Sequence, residues 1–182
     1  MPETEPAGSA LPENIHDTAM TDKTFHITTF GCQMNVNDSD WLRRALQERG
    51  FSPVPFEEAR VHILNTCSVR EKPENKVYTE LGRIRMLARK HPERGVFACV
   101  GGCVAQQVGE KLFSRSKELR LVFGTDGISV TPEAVAMLAD NPERRLSLLD
   151  FSQEYAEREH YVGKGAAGKE LPLAEARPHP RG

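Results

Sequence analysis

No stretch of the sequence is long and apolar enough to span a bilayer. The opening Met1-Pro2-Glu3-Thr4-Glu5 has neither the basic start nor the apolar core of a secretory signal. A cytoplasmic protein with no membrane attachment is expected. Excess charge of either sign is also lacking: 24 Lys and Arg against 26 Asp and Glu leave a formal net charge of -2. The chain as a whole therefore has no attraction for polyanions, and any nucleic-acid contact must come from a local patch. Cysteine is sparse. Cys32, Cys67, Cys99 and Cys103 are too few to staple a chain of 182 residues, and a reducing cytosol keeps such thiols free, which turns attention from disulfides to metal binding or reactivity. With 38% hydrophobic and 27% charged residues, one domain with polar extensions is expected.

Residues 1–22 mix Pro, Glu, Gly, Ser and Asp without periodicity, and so read as a disordered tail that cannot bury enough apolar surface to offset the entropy of ordering. The domain itself is expected over residues 23–150. Phe25 to Phe30 predicts a strand, and Asn37-Asp38-Ser39 predicts the cap of a helix with Trp41, Leu42, Ala45 and Leu46 on one face and Gly50 as its stop. Val61 to Thr66 predicts a buried strand; Val77, Leu81, Ile84 and Ala88 then mark the apolar stripe of a long helix ended by Pro92. Val96 to Val100 predicts a third strand and Val104 to Phe113 a helix. Leu119 to Phe123 is a fourth strand, Thr131-Pro132-Glu133 opens a helix through Ala139, and Leu146 to Leu149 adds an edge strand. Strands alternating with helices indicate an α/β three-layer sandwich, a mostly parallel sheet flanked by helices. Residues 151–182, charged and then rich in Gly and Pro, read as a linker toward a further domain.

Three of the cysteines occupy one station. Phe30-Gly31-Cys32, Asn65-Thr66-Cys67 and Gly101-Gly102-Cys103 each follow a predicted strand and precede a helix, 35 and 36 residues apart. In an open parallel sheet such junctions lie together along the carboxyl edge, where ligands bind. Gly31, Gly101 and Gly102 are small enough to let a bulky group approach the backbone, and nearby helix N-termini favour thiolate over thiol. Three thiolates hold either zinc with an open fourth position or an iron-sulfur cluster with one iron lacking a protein ligand. The competing readings are three unrelated small residues in loops, or a closed site in which Cys99 joins Cys103 as a CxxxC pair. Cys99 lies inside a predicted strand, where a buried Cys behaves as a small hydrophobe, and is read as core.

The blocks Thr29-Phe30-Gly31-Cys32-Gln33-Met34-Asn35 with Asp38-Ser39, Asn65-Thr66-Cys67-Ser68-Val69-Arg70-Glu71, and Gly101-Gly102-Cys103-Val104-Ala105-Gln106 resemble the three motifs of the N-terminal domain of the radical S-adenosylmethionine methylthiotransferase family. Within it, Cys-Gln-Met-Asn and Cys-Ser-Val-Arg-Glu-Lys are similar to the branch that adds a methylthio group to C2 of N6-isopentenyladenosine next to the anticodon of tRNA. Other branches act on threonylcarbamoyl-adenosine or on a ribosomal-protein aspartate. The resemblance implies that Cys32, Cys67 and Cys103 bind an auxiliary 4Fe-4S cluster whose open iron holds the sulfur to be transferred, and it gives Cys99 no role.

It also implies a second 4Fe-4S cluster, held with S-adenosylmethionine by a CxxxCxxC segment in a radical barrel, and a small C-terminal RNA-binding domain. No CxxxCxxC occurs in this sequence. An N-terminal portion, inactive alone, is therefore expected, with tRNA, S-adenosylmethionine and a sulfur donor as partners of a monomeric full-length enzyme. By the same resemblance, one S-adenosylmethionine methylates the sulfur. A 5'-deoxyadenosyl radical from a second activates the unreactive C2-H bond.

Weaker signals have plainer readings. Gly163-Lys164-Gly165-Ala166-Ala167-Gly168-Lys169 approaches a P-loop, but Glu170 stands where Ser or Thr would bind magnesium, no strand precedes it and Pro172 follows, so it reads as flexible linker. Nucleotide binding by this segment is the third reading of the chain. Lys72, Lys76, Arg83 and Lys90 fall along one side of the long helix as a solvated face in which Glu80 pairs with Lys76, or as phosphate contacts. His26 and His62 alternate with apolar neighbours and read as sheet residues rather than metal ligands.

Overall fold

A computed structural model describes residues 23–31, 33–68 and 73–149, and the backbone of 169–171. In chain order the elements are β1 (Thr24–Thr29), α1 (Gln33–Glu48), β2 (Ser52–Pro53), β3 (Val61–Thr66), α2 (Pro73–Lys90), β4 (Phe97–Gly102), α3 (Cys103–Val108), β5 (Leu119–Phe123), α4 (Thr131–Asp140), β6 (Arg145–Leu148) and β7 (Lys169–Leu171). The sheet order is β2-β1-β3-β4-β5-β6-β7, parallel from β2 to β6, with β7 antiparallel to β6. Central strands β3 and β4 are buried at every position, as expected of parallel strands covered on both faces.

Alternation along the strands sends side chains into two cores. Phe25, Ile63, Cys99, Leu121, Phe123 and Leu146 face one layer, where Leu42 and Leu46 of α1 and Val135 and Leu138 of α4 cover them. Leu64, Val100, Leu119 and Val122 face the other, against Val77, Leu81 and Ile84 of α2 and Val104 and Ala105 of α3. Helices thus flank both faces of the sheet, the predicted three-layer α/β sandwich. The apolar spacing of α2 is the predicted one, and the helix stops at Lys90, two residues before Pro92. No described helix is long and apolar enough to cross a membrane.

Several boundaries differ from the expectation. Helix α1 starts at Gln33, so Asn37-Asp38-Ser39 lie within it rather than capping it. Asn35 and Ser39, one turn apart, face inward and bond to strand ends, and these tertiary partners override the local capping preference of Ser and Asn. The helix predicted through Phe113 breaks at Gly109, which adopts φ +66° and ψ -150°, and continues as a 3-10 turn, Gly109–Ser114. Strand β6 is not an edge, because β7 pairs with it. Residues 169–171 of the expected linker are therefore strand. The tail 1–22, the rest of 151–182 and most of the P-loop-like segment lie outside the described residues. Strand β2 went unpredicted: at two residues it shows no periodicity, and Pro53 suits an edge position.

Candidate metal centre

The ends of β1, β3 and β4 are level. Thr29 pairs with Asn65 and Asn65 with Gly101, while Thr66 pairs with Gly102, so Cys67 and Cys103 each stand one residue beyond the same rung of adjacent strands. Strands so paired run about 4.8 Å apart. Sequence positions 36 residues apart thus meet at the carboxyl edge. Cys67 is buried at 5% exposure, whereas Cys103, the first residue of α3, is half-buried. Cys32 lies outside the described residues, between Gly31 and the start of α1. Among the described residues no three His, Cys, Asp or Glu side chains gather closely enough to hold an ion.

The chain next to Cys32 is tied to Cys67. Phe30 N donates to Asn65 O at 2.8 Å, and a β-carbon on Gly31 would fall 2.3 Å from Cys67 Cβ and 3.2 Å from its sulfur. Gly31 has φ +128°, and only glycine supplies both that conformation and that clearance. Gly102, at φ +88°, brings its α-carbon so close to β3 that a β-carbon would lie 2.2 Å from Thr66 O. The space at Gly101 is taken by the Phe123 ring. The expected room for a bulky group is therefore filled by the protein's own atoms, and these glycines draw the three motif segments together.

A buried polar lattice braces the same segments, and sequence reasoning missed it. Asn35 Nδ2 donates to Asn65 Oδ1 at 3.1 Å and to Thr66 O at 3.1 Å, while Asn65 Nδ2 donates to Asn35 O at 2.9 Å and to Ser39 Oγ at 3.1 Å. Thr29 Oγ1 donates to Ser39 Oγ at 2.7 Å and Thr66 Oγ1 to Gly101 O at 2.5 Å. Buried amides without such partners would be costly, and fully satisfied networks specify one arrangement. Asn35 and Asn65 stand inside the cysteine motifs, which was the available signal; their partnership across 30 residues was not readable.

A cleft of about 260 Å³ opens beside Cys67, lined by Thr29, Phe30, Gly31, Thr66, Cys67, Lys76 and Val77. Lys76, in the first turn of α2, gives it a positive charge. Soft thiolate donors at one edge, a nearby cation and a backbone drawn in at Gly31 fit an anionic iron-sulfur group.

Cys99 does not belong to this set. It is fully buried in the α1 and α4 core layer, three strand residues and about 10 Å before Gly102, and burial pushes its thiol far above the usual range. His26 and His62 are paired across β1 and β3 near the amino ends of the strands, around Phe56 at ring distances of 5.7 and 4.5 Å, away from the cysteines. Burial lowers the His62 pKa to about 4, despite the bond to Ala59 O at 3.1 Å. Glu80 pairs with Arg83 at 2.9 Å rather than with Lys76, because Arg83 also lies 4.2 Å over the Phe56 ring. Lys72 lies outside the described residues.

Comparison with known proteins agrees with the resemblance carried by the cysteine blocks. Proteins named tRNA-2-methylthio-N(6)-dimethylallyladenosine synthase are similar to this chain. The one from Nitratidesulfovibrio vulgaris is 63% identical over 147 residues, 81% of this chain and 32% of that protein. The one from Oleidesulfovibrio alaskensis is 59% identical over 140 residues, 77% of this chain and 30% of its own length. In Lawsonia intracellularis the identity is 50% over 145 residues, 80% of this chain and 31% of the relative. The chain thus spans about a third of the length of the curated relatives it matches. Residues 24–124, from the first strand through the end of β5, match the family described as "Uncharacterized protein family UPF0004", and the chain belongs to that family.

Proposed function

We propose that this chain is the sulfur-carrying N-terminal portion of a tRNA methylthiotransferase that adds a methylthio group to C2 of N6-isopentenyladenosine next to the anticodon. Cys32, Cys67 and Cys103 are its 4Fe-4S ligands. The observation that carries this is the joint placement of Cys67 and Cys103 one residue past a common rung, with Gly31, the neighbour of Cys32, against Cys67. The names of the relatives support the reaction and the isopentenyl, or dimethylallyl, substrate over threonylcarbamoyl-adenosine or a protein aspartate. A cluster with three cysteine ligands supplies an iron position at which exogenous sulfur binds.

The chain's own residues do the positioning. Cys67 is fixed by its burial and by the Asn35 and Asn65 braces on either side. Lys76 offsets negative charge in the cleft, and Phe30 and Val77 wall part of it from water. Radical generation, the second cluster and S-adenosylmethionine belong to a part of the enzyme beyond this chain. A sulfur donor and tRNA complete the partners of a cytoplasmic, monomeric enzyme. A closed four-cysteine module is disfavoured by the placement of Cys99 in the opposite core layer. Mass analysis of tRNA nucleosides from the native host tests the reading: Cys67→Ala in the full-length protein leaves isopentenyladenosine without its methylthio group. Unchanged methylthio content contradicts it.

A further inference from the structure

The outer face of α2 carries a second constellation, distinct from the cysteine edge. Tyr78, Gly82, Arg85 and Arg89 recur at spacings of four, three and four, and so share one helix face. Arg115, just past the 3-10 turn, stands opposite them. A groove of about 430 Å³ opens between, with Leu81 in its floor, the 65% exposed Met86 on its rim and no carboxylate among its lining residues. Arg85 Nη2 donates to Arg115 O at 3.0 Å, and the Arg115 guanidinium lies 4.9 Å over the Tyr78 ring, itself anchored through its hydroxyl to Glu74 at 3.3 Å. Arg85 and Arg115 are thus held in place by the protein rather than left to wander.

Gly82 sharpens the reading. Glycine inside a helix destabilises it by about 1 kcal/mol relative to Ala, yet nothing lies within 4 Å of where its β-carbon would be. Packing gives no reason for it. A bare backbone at mid-groove instead leaves the floor clear for a strand that passes close to the helix. Three guanidiniums in a groove whose lining holds no carboxylate, with Glu74 at its edge on the Tyr78 hydroxyl, suit phosphodiesters, which the planar fork binds bidentately, and the Arg-Tyr stack and exposed thioether offer faces for bases. An acidic protein would match the charge but would leave the ring and the open floor without a purpose.

We propose that this groove binds the phosphate backbone of an RNA strand without reading its sequence, and so docks the tRNA on the N-terminal domain. The proposal rests on the tRNA reading above. The residues differ from the predicted stripe of Lys72, Lys76, Arg83 and Lys90, in which Arg83 is held by Glu80 and Phe56. Arg85 lies twelve residues, about 18 Å, along α2 from Pro73, less than one turn of an RNA duplex. A stem gripped there can extend toward the cysteine edge.

The test is fluorescence anisotropy of a labelled RNA stem-loop titrated with this chain at several salt concentrations. Arg85→Ala, Arg89→Ala and Arg115→Ala each weaken binding about threefold to tenfold and each lower the salt slope by about one, irrespective of sequence. Gly82→Leu blocks the groove and weakens binding without lowering the melting temperature. Arg44→Ala, exposed on α1 in the opposite layer, has no effect. No RNA binding by the wild-type chain, unchanged binding in the triple arginine variant, an equal loss in Arg44→Ala, or capture of poly-glutamate as tightly as RNA would each overturn the proposal. Iron loading of the same proteins reports on the cluster separately: full loading with lost RNA binding isolates the groove, and groove-dependent RNA binding by a chain that loads no iron sinks the cluster reading alone.

Discussion

Asn35 and Asn65 bond to each other reciprocally across the sheet edge: the Asn35 amide donates to Asn65 Oδ1 at 3.1 Å and the Asn65 amide to Asn35 O at 2.9 Å. The pair couples the first cysteine motif to the second and is sealed from water, so neither side chain has a solvent partner to fall back on. Asn65→Ala removes one partner each from Asn35 and Ser39 and leaves a void in the lattice, and is expected to destabilise the fold by about 2 kcal/mol. It also lowers iron retention after reconstitution, although it touches no ligand. Denaturant unfolding and iron analysis check both; unaltered stability would mean that the amides are not the brace.

Two glycines separate backbone strain from close contact. Gly102 and Gly50 have similar positive φ, +88° and +81°, but a β-carbon at Gly102 meets Thr66 O at 2.2 Å whereas at Gly50 it meets nothing within 4 Å. Gly50→Ala therefore costs about 1 kcal/mol from conformation alone. Gly102→Ala costs more, at least about 2 kcal/mol, and shifts β4 from β3 enough to impair iron binding. Equal losses in the two variants would contradict the close approach.

His62 sets a pH limit. The unfolded chain takes up a proton near the ordinary imidazole value of 6.5, while the folded chain, in which burial disfavours the charge and His26, Arg94 and Arg83 repel it, refuses that proton until about pH 4. Stability from the neutral ring is complete above pH 6.5 and is lost as pH falls toward 4, by about 3 kcal/mol in all. His62→Leu removes this slope. Denaturant unfolding at pH 7.5 and 4.5 measures it, and an unchanged pH dependence in His62→Leu assigns the effect elsewhere.

Much of this was legible before any coordinates. β-Branched runs of strand length and the three and four spacing of Val77, Leu81 and Ile84 encode the layers, because burial is periodic. The placement of Cys67 and Cys103 at one edge followed, since junctions after parallel strands share it. Cys99 followed from its place within Phe97–Gly102. The polar brace did not, because Ser39 and Asn65 carry no local mark of a partner 26 residues away, and Ser39 mimics a helix cap. Glu80 had permitted partners at both Lys76 and Arg83, and only the Phe56 ring beneath Arg83 decides between them. The arginine groove was invisible because Arg115 comes from a separate segment, across α2 from Arg85.

Iron and sulfide analysis after anaerobic reconstitution of this chain tests the centre most directly. The wild type is expected to bind about four iron and four sulfide per chain, with Cys99→Ala equal to it and Cys32→Ala, Cys67→Ala and Cys103→Ala each reduced to background. A single zinc per chain, or a loss in Cys99→Ala as large as that in Cys67→Ala, would contradict an open three-cysteine cluster.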